Sequence, residues 1–234
     1  EYVIRDAQES RGLGDVYKRQ AELWEEALPL GNGRFGAMVF GNPINERIQL
    51  NDDSLWPNDL EWDHPSGESA NLATVRKALF EGDAKSADSL MVHYFSNKSI
   101  TRSHQTLGDL FLDWEHTGIT DYKRFLDLKT ALSITEYKSE GYDVVQKVFV
   151  SHPHQVMVIN LSSDHPNGLN GKIRLDRPLD EGQKTVNVIS FDHQIIMEGE
   201  VTQRTGKFNS EPNPILSGVK FQTHLSSQNI GGNI

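Results

Sequence analysis

The sequence contains no cysteine among its 234 residues. Disulfide bonds and thiolate metal sites are therefore excluded. Basic residues are also scarce, because 23 lysines and arginines stand against 33 aspartates and glutamates and give a formal net charge of −10. Such a chain repels the phosphate backbone of a nucleic acid, so no nucleic-acid partner is expected. No apolar stretch approaches the roughly 18 residues of a transmembrane helix, and no membrane span is expected.

Helical periodicity is confined to one region. Asn71 is predicted to cap a first helix that ends at Gly82, and Asp83 is predicted to cap a second. The side chains expected to be buried on these helices are Leu72, Val75, Ala78, Leu79, Ala84, Ala87, Leu90, Met91 and Tyr94.

The rest of the chain shows short segments of alternating apolar residues, separated by glycine, asparagine, aspartate and proline. This pattern predicts packed antiparallel sheets rather than βαβ units. We expect two strands between Arg34 and Asn51, and further strands near residues 110–114, 132–134, 144–150, 156–161, 173–175, 185–191, 195–201 and 219–225. The predicted fold class is mainly β, an antiparallel sandwich with a short two-helix insertion.

Residues 31–36 match the dinucleotide-binding pattern G-x-G-x-x-G, and Asp52 lies about 20 residues further on, where that fold keeps its ribose carboxylate. The motif needs a preceding strand and a helix that opens at the last glycine. Residues 28–30 are too short and too interrupted by proline for a buried strand, and the apolar run 37–40 is too brief for a helix. We therefore interpret the glycines as the lead-in to a hairpin and expect no cofactor.

A longer pattern covers the same region. Residues 24–56 contain W-x-x-A-L-P-x-G-N-G-x-x-G-A-M-x-F-G followed by L-N-x-D-x-x-W. Residues 105–112 then read Q-T-L-G-D-L-F-L, residues 122–128 read Y-K-R-F-L-D-L, and residues 148–156 read V-F-V-S-H-P-H-Q-V. These four segments, in this order, resemble the N-terminal domain of glycoside hydrolase family 95, the α-L-fucosidase and α-L-galactosidase family.

The resemblance implies an N-terminal β-supersandwich, a helical linker, a catalytic (α/α)6 barrel and a C-terminal β-domain. It also implies an inverting reaction whose glutamic acid, asparagine and aspartate all lie in the barrel. None of those positions occurs in this sequence, so we expect no catalytic residue here and an inactive chain. The expected role is to pack on the barrel and shape its entrance.

The same resemblance implies a bacterial parent enzyme that removes terminal α-linked L-fucose, or L-galactose, from glycans. We expect that enzyme to be exported to the periplasm or beyond, with a signal peptide that this sequence does not include. The partners implied are the glycan substrate and, within the same polypeptide, the barrel.

Two acidic neighbours, Asp52 and Asp53, invite a catalytic interpretation. An inverting glycosidase holds two carboxyl groups roughly 6.5–9.5 Å apart on either side of the scissile bond. If the two residues extend a strand, they point to opposite faces and cannot flank one sugar. If they lie in a turn, capping and solvation explain them better. His152 and His154 share a face but are separated by Pro153 and have no evident third ligand, so no metal site is expected.

Six residues remain as candidates for sugar contact. Polar side chains around the glycine motif could line the barrel's pocket, although hydrogen bonding within turns explains them as well. Tryptophan rings offer a face for the C–H surface of a sugar, although burial against the barrel is the alternative. The candidates are Asn32, Arg34, Asn51, Asp53, Trp56 and Trp62.

The domain organisation is predicted in two parts. Residues 1–20 have no pattern that joins the rest, and 15–20 read like the translated end of a sequencing adaptor, so we expect this segment not to be native. Residues 21–234 are expected to be the N-terminal domain of a longer protein whose barrel lies outside this sequence. A stand-alone carbohydrate-binding or scaffolding sandwich is the competing hypothesis, because fold alone does not decide function.

Overall fold

The computed structural model describes residues 16–56, 68–95, 104–180, 182–203, 213–214 and 218–230. Strands dominate these residues, and all of the sheet pairings are antiparallel. The strands are β1 (Leu28–Gly31), β2 (Phe35–Val39), β3 (Asn45–Asp52), β4 (Gly108–Trp114), β5 (Thr120–Asp127), β6 (Leu132–Ser139), β7 (Tyr142–Ser151), β8 (Val156–Ser163), β9 (Gly171–Asp176), β10 (Val186–Phe191), β11 (Gln194–Glu200), β12 (Thr202–Gln203), β13 (Asn213–Pro214) and β14 (Lys220–Ser226).

The strands form three main sheets. A five-stranded sheet has the order β1-β2-β3-β4-β9, a four-stranded sheet has the order β5-β6-β7-β8, and a three-stranded sheet has the order β10-β11-β14. Their inner faces meet in one apolar core, which includes Val39, Ile48, Leu50, Leu110, Leu112, Trp114, Val148, Leu175, Val186 and Met197. The predicted mainly-β antiparallel sandwich is confirmed.

The first strand corrects one expectation. Residues 28–30 were predicted to be too short and too proline-interrupted for a buried strand, yet β1 pairs with β2 and buries Leu28 and Leu30. Pro29 between them is exposed. β1 is an edge strand of its sheet. Proline is tolerated in an edge strand, because the position of its missing N–H can face away from the neighbouring strand.

A further strand, β5, was not among those predicted. Its inward residue is Arg124 rather than an apolar side chain, and the guanidinium is almost fully buried. Arg124 Nε donates to the carbonyl of Arg19 at 2.8 Å, and Nη1 donates to the carbonyl of Glu26 at 2.9 Å. The Tyr17 backbone also pairs with the Arg124 backbone. The non-native origin of residues 1–20 stays a prediction.

The two-helix insertion is confirmed as α1 (Glu68–Phe80) and α2 (Ala84–Phe95). Asn71 does not cap α1, because that helix already begins at Glu68. The predicted end at Gly82 is correct, since its φ of +78° suits glycine and its N–H reaches the Leu79 carbonyl. Asp83 caps α2 by accepting the Ser86 N–H at 3.0 Å. Neither described helix is long and apolar enough to cross a membrane.

Burial along the helices is narrower than predicted. Among the helical residues whose burial the structure describes, only Val75, Ala78 and Ala87 are fully buried, in a small cluster with Leu90 and Phe95 packed beside it. The side chains predicted to be buried but found exposed are Leu72, Leu79, Ala84 and Met91, and Tyr94 is only partly buried. The helices contact each other through these few side chains. The apolar face that they bury is therefore narrower than that of a typical amphipathic helix.

Candidate functional site

The candidate residues that the structure describes gather at one end of the sandwich, where β2 begins and β3 ends. Asn32 organises this end. Its Oδ1 accepts the backbone N–H groups of Arg34 at 3.0 Å and Phe35 at 2.8 Å, and its Nδ2 donates to the Ser151 carbonyl at 3.2 Å and to Gln155 Oε1 at 3.3 Å. Asn32 therefore shapes its own turn and ties it to the turn between β7 and β8.

Arg34 and Asp53 lie beside each other on the surface of this end. Arg34 Nε is 3.7 Å from Asp53 Oδ1, and the two side chains are 65% and 57% exposed. An exposed pair of this kind contributes about 0–1 kcal/mol to stability. Asn51 is also exposed, opposite Gly36 in the β2–β3 ladder. These three side chains leave polar groups open to a ligand in solution.

Trp56, three residues after Asp53 in the sequence, supplies an aromatic face at this end. Its ring is 53% exposed and meets His104 edge to face, with 5.3 Å between ring centroids. His104 Nε2 lies 2.7 Å from the Asp52 carbonyl oxygen, to which it donates. Leu55 is buried directly before Trp56, and its carbonyl accepts the Gln105 N–H at 2.9 Å. The indole is therefore presented on a fixed turn, as sugar stacking requires.

The carboxylate of Asp52 forms its hydrogen bonds within the local turn. It accepts hydrogen bonds from both the backbone N–H and the hydroxyl of Ser54. Asp53 instead pairs with Arg34, so the two carboxylates have different surroundings and do not face a common space as a hydrolytic pair. Trp62, the sixth candidate, lies outside the described residues.

Sequence reasoning missed His104 and Gln155 as parts of this end. Each comes from a segment far from the glycine motif in sequence, and each arrives there through strand pairing and sheet packing. His154, one of the two histidines weighed as metal ligands, has its Nδ1 3.1 Å from Ser151 Oγ in a local turn. Among the described residues, no group of three side chains could hold a metal ion.

A second polar cluster lies at the opposite end of the β2–β3 hairpin. Glu46 is only 1% exposed, and its carboxyl group accepts the Gly41 N–H at 2.8 Å and Gln146 Nε2 at 3.0 Å. Burial raises the pKa of this carboxyl group to about 7. Tyr122 donates to the Gly41 carbonyl at 2.6 Å. The hydrogen bond between Glu46 in β3 and Gln146 in β7 links two sheets. Because both side chains are buried, a substrate cannot reach this carboxyl group.

The chain is similar to one protein family and to several known proteins. The family model described as "Glycosyl hydrolase family 65, N-terminal domain" matches residues 16–234. "Alpha-L-fucosidase 2" of Arabidopsis thaliana is 27% identical over 232 residues, which cover 97% of this chain and 27% of that relative. "Probable alpha-fucosidase A" of Aspergillus niger is 32% identical over 146 residues, which cover 59% of this chain and 18% of that relative.

"Probable alpha-fucosidase A" of Aspergillus oryzae is 28% identical over 159 residues, which cover 63% of this chain and 21% of that relative. The chain therefore spans about a quarter or less of the curated relatives it matches.

Proposed function

The chain belongs to the family of the glycosyl hydrolase family 65 N-terminal domain, and from this premise we propose that it is the non-catalytic N-terminal domain of an α-L-fucosidase. The resemblance to the N-terminal domain of a fucosidase-like glycoside hydrolase is confirmed by the family match and the fucosidase relatives. Assignment to family 95 belongs to the proposal, because the matching family model carries the number 65.

The proposed parent enzyme removes terminal α-L-fucose from glycans, acts from the chain end and inverts the anomeric configuration. Its catalytic groups lie in an (α/α)6 barrel outside this sequence. Three relatives are named as fucosidases and the chain spans about a quarter or less of their length, which supports a parent fucosidase with much further sequence. An α-L-galactosidase of the same architecture is the alternative specificity. Export and a bacterial source stay predictions; the three relatives described above come from a plant and from fungi.

The observation that carries the domain's role is the presentation of Trp56. A large aromatic ring that is half exposed, follows a buried residue and meets His104 edge to face is suited to contact with a sugar. The two carboxylates that precede it in sequence are bound elsewhere, Asp52 by Ser54 and Asp53 by Arg34. We therefore place this end of the sandwich at the entrance of the barrel, where it contacts the part of the glycan beyond the cleaved residue.

Replacement of Trp56 by alanine in the full-length parent enzyme tests this role. Aromatic packing of this kind is worth about 0.5–1.5 kcal/mol, so KM for a fucosylated oligosaccharide is expected to rise roughly 2- to 12-fold. The value of kcat is expected to change little, because the lost contact is the same in the ground and transition states. Steady-state kinetics on an oligosaccharide measures both constants.

Trp56→Phe retains an aromatic face and is expected to restore most of the affinity. Trp24→Ala is the matched control, because Trp24 is equally exposed but its indole N–H bonds Gln49 rather than lying beside His104. An unchanged KM in Trp56→Ala, or equal changes in both alanine variants, would remove Trp56 from the entrance.

The same exposed ring also supports the stand-alone carbohydrate-binding module, since a sugar could stack on Trp56 without any barrel. Affinity electrophoresis of the chain alone in gels that contain fucosylated glycans separates the two functions. Retardation that corresponds to millimolar or tighter binding favours the module. Unretarded migration favours a domain that needs its catalytic partner.

A further inference from the structure

An open cleft of about 970 Å³ lies between the four-stranded and three-stranded sheets. Its floor is the apolar inner face of β4 and β9, and its walls are the edge strands β8 and β14. The side chains that define it include Leu110, Leu175, Ile159, Leu161, Phe221 and Leu225. The floor residues are almost completely buried, whereas the wall residues are only partly buried. Apolar surface on the walls is therefore left incompletely covered.

Both walls present a strand edge with open hydrogen-bonding groups. β8 pairs with β7 and β14 pairs with β11, and in the parts of the chain that the structure describes neither has a partner on its other side. Natural proteins protect such edges with charge, proline, bulges or a covering segment. β8 contains neither a charged residue nor a proline, and β14 contains only Lys220. These edges therefore lack the usual protection of an exposed edge strand and are suited to pair with a further strand.

Two polar atoms on the cleft lining point to the same conclusion. Trp114 Nε1 and Thr223 Oγ1 are buried, and each lacks a hydrogen-bond partner among the described residues. Buried polar atoms are paired in the large majority of complete protein interiors. A segment inserted into the cleft would bring backbone or side-chain groups within reach of them.

We propose that this cleft receives a β-strand of the same polypeptide, supplied by sequence that follows Ile234 in a protein of the relatives' length. The strand pairs with the free edge of β14 and places alternate apolar side chains against β8. This inference goes beyond the proposed function and does not depend on the sugar that the parent enzyme cleaves.

The course of the chain after β14 identifies the source of the strand. Residues 227–230 lie along the lining of the cleft, and the Ser227 N–H donates to the His193 carbonyl at 2.8 Å. A strand that follows β14 antiparallel to it requires only a short hairpin connection. The matched relative from Arabidopsis is nearly four times as long as the aligned part, so a protein of that length has ample sequence to supply the strand.

Hydrogen–deuterium exchange of the full-length parent protein and of residues 1–234 tests the proposal. Backbone amides on the free edge of β14 are expected to exchange at least about tenfold more slowly in the parent, because pairing protects them, and those on the edge of β8 are expected to slow as well, because the inserted side chains shield them from water. Amides of β11, which is paired on both sides, are the internal control and should exchange alike in both proteins. Equal exchange of the β8 and β14 edges in the two proteins would overturn the proposal.

Two further measurements separate the possible occupants. If residues 1–234 form a dimer by light scattering and the two edges are already protected in that dimer, a second copy fills the cleft and the proposal is wrong. In the parent, Thr223→Lys puts a charge into the cleft and is expected to return both edges to fast exchange, whereas His224→Lys, on the outer face of the same strand, is not. Protection that survives Thr223→Lys would also contradict the proposal.

Discussion

Gly108→Ala is expected to lower the free energy of unfolding by about 2–6 kcal/mol, because backbone strain and overpacking act together. Gly108 begins β4 with a φ of +145°, which side-chain-bearing residues rarely adopt. A Cβ at this position would lie 2.6 Å from the Asp176 carbonyl oxygen and 2.9 Å from Met197 Cε. The first neighbour is backbone of the paired strand β9, so it cannot move without disturbing the five-stranded sheet.

Gly141→Ala is the matched control for that substitution. Gly141 also has a positive φ, +88°, but a Cβ there would meet no atom within 4 Å. Its alanine variant should carry only the strain, about 1–3 kcal/mol. Urea denaturation of the two variants and the unsubstituted chain measures the difference. Equal losses in the two variants would show that the close approach of β4 and β9 at Gly108 has no energetic importance.

Glu46→Gln is expected to remove a pH dependence of stability from the protein. The pKa of Glu46 is raised from 4.5 to about 7, first by burial, which the hydrogen bonds from Gly41 and Gln146 only partly offset. The ionisable groups beside it, Tyr122 and Tyr137, also have raised pKa values because they are buried, and they stay neutral in this range. The folded protein therefore holds a proton on Glu46 that the unfolded chain has released.

The sign of the effect follows from proton linkage. A group whose pKa is higher in the folded state contributes stability that is complete below about pH 4.5 and is lost as the pH rises to about 7. At 1.36 kcal/mol per pKa unit the loss amounts to about 3 kcal/mol. Glutamine stays neutral and keeps an acceptor for the Gly41 N–H, while the Gln146 amide is free to reverse and accept from it.

Urea midpoints between pH 4.5 and pH 8 measure this difference. The stability of Glu46→Gln relative to the unsubstituted chain is expected to rise by about 3 kcal/mol across the interval and to stay level above pH 8. Glu115→Gln, at an exposed position, serves as the control and should leave the pH profile as it was. A pH profile that is the same with and without Glu46 would show that this carboxyl group ionises normally.

Alternation of apolar residues was sufficient to predict most of the fold. It located β2, β3, β7, β8, β10, β11 and β14 to within a few residues, because their inward positions are apolar. It missed β5, whose inward residue is Arg124, since a buried guanidinium held by backbone carbonyls looks like a surface residue in sequence. It rejected β1 because Pro29 excludes a central strand, whereas only the sheet order shows that β1 is an edge.

The candidate site was partly predictable for a different reason. Asn32, Arg34, Asn51, Asp53 and Trp56 belong to one hairpin and its flanking turns, so local sequence brings them together. His104 joins Trp56 only through the pairing of β3 with β4, which local sequence does not reveal. Glu46 was detectable in principle, because it shares the inward face of β3 with Ile48 and Leu50. The hydrogen bond that links Glu46 to a second sheet could not be predicted, since Gln146 comes from β7 of the four-stranded sheet.

An assay of L-fucose release by two proteins, the full-length parent and residues 1–234, tests most directly whether this chain is the non-catalytic domain of a fucosidase. The full-length protein is expected to release L-fucose from α-fucosylated oligosaccharides as the inverted β-anomer, observed by proton NMR in the first minutes of the reaction. Residues 1–234 are expected to release none under the same conditions. Release of fucose by residues 1–234 alone, or a full-length protein that hydrolyses neither α-L-fucosides nor α-L-galactosides, would contradict the assignment of this chain as the non-catalytic domain of such an enzyme.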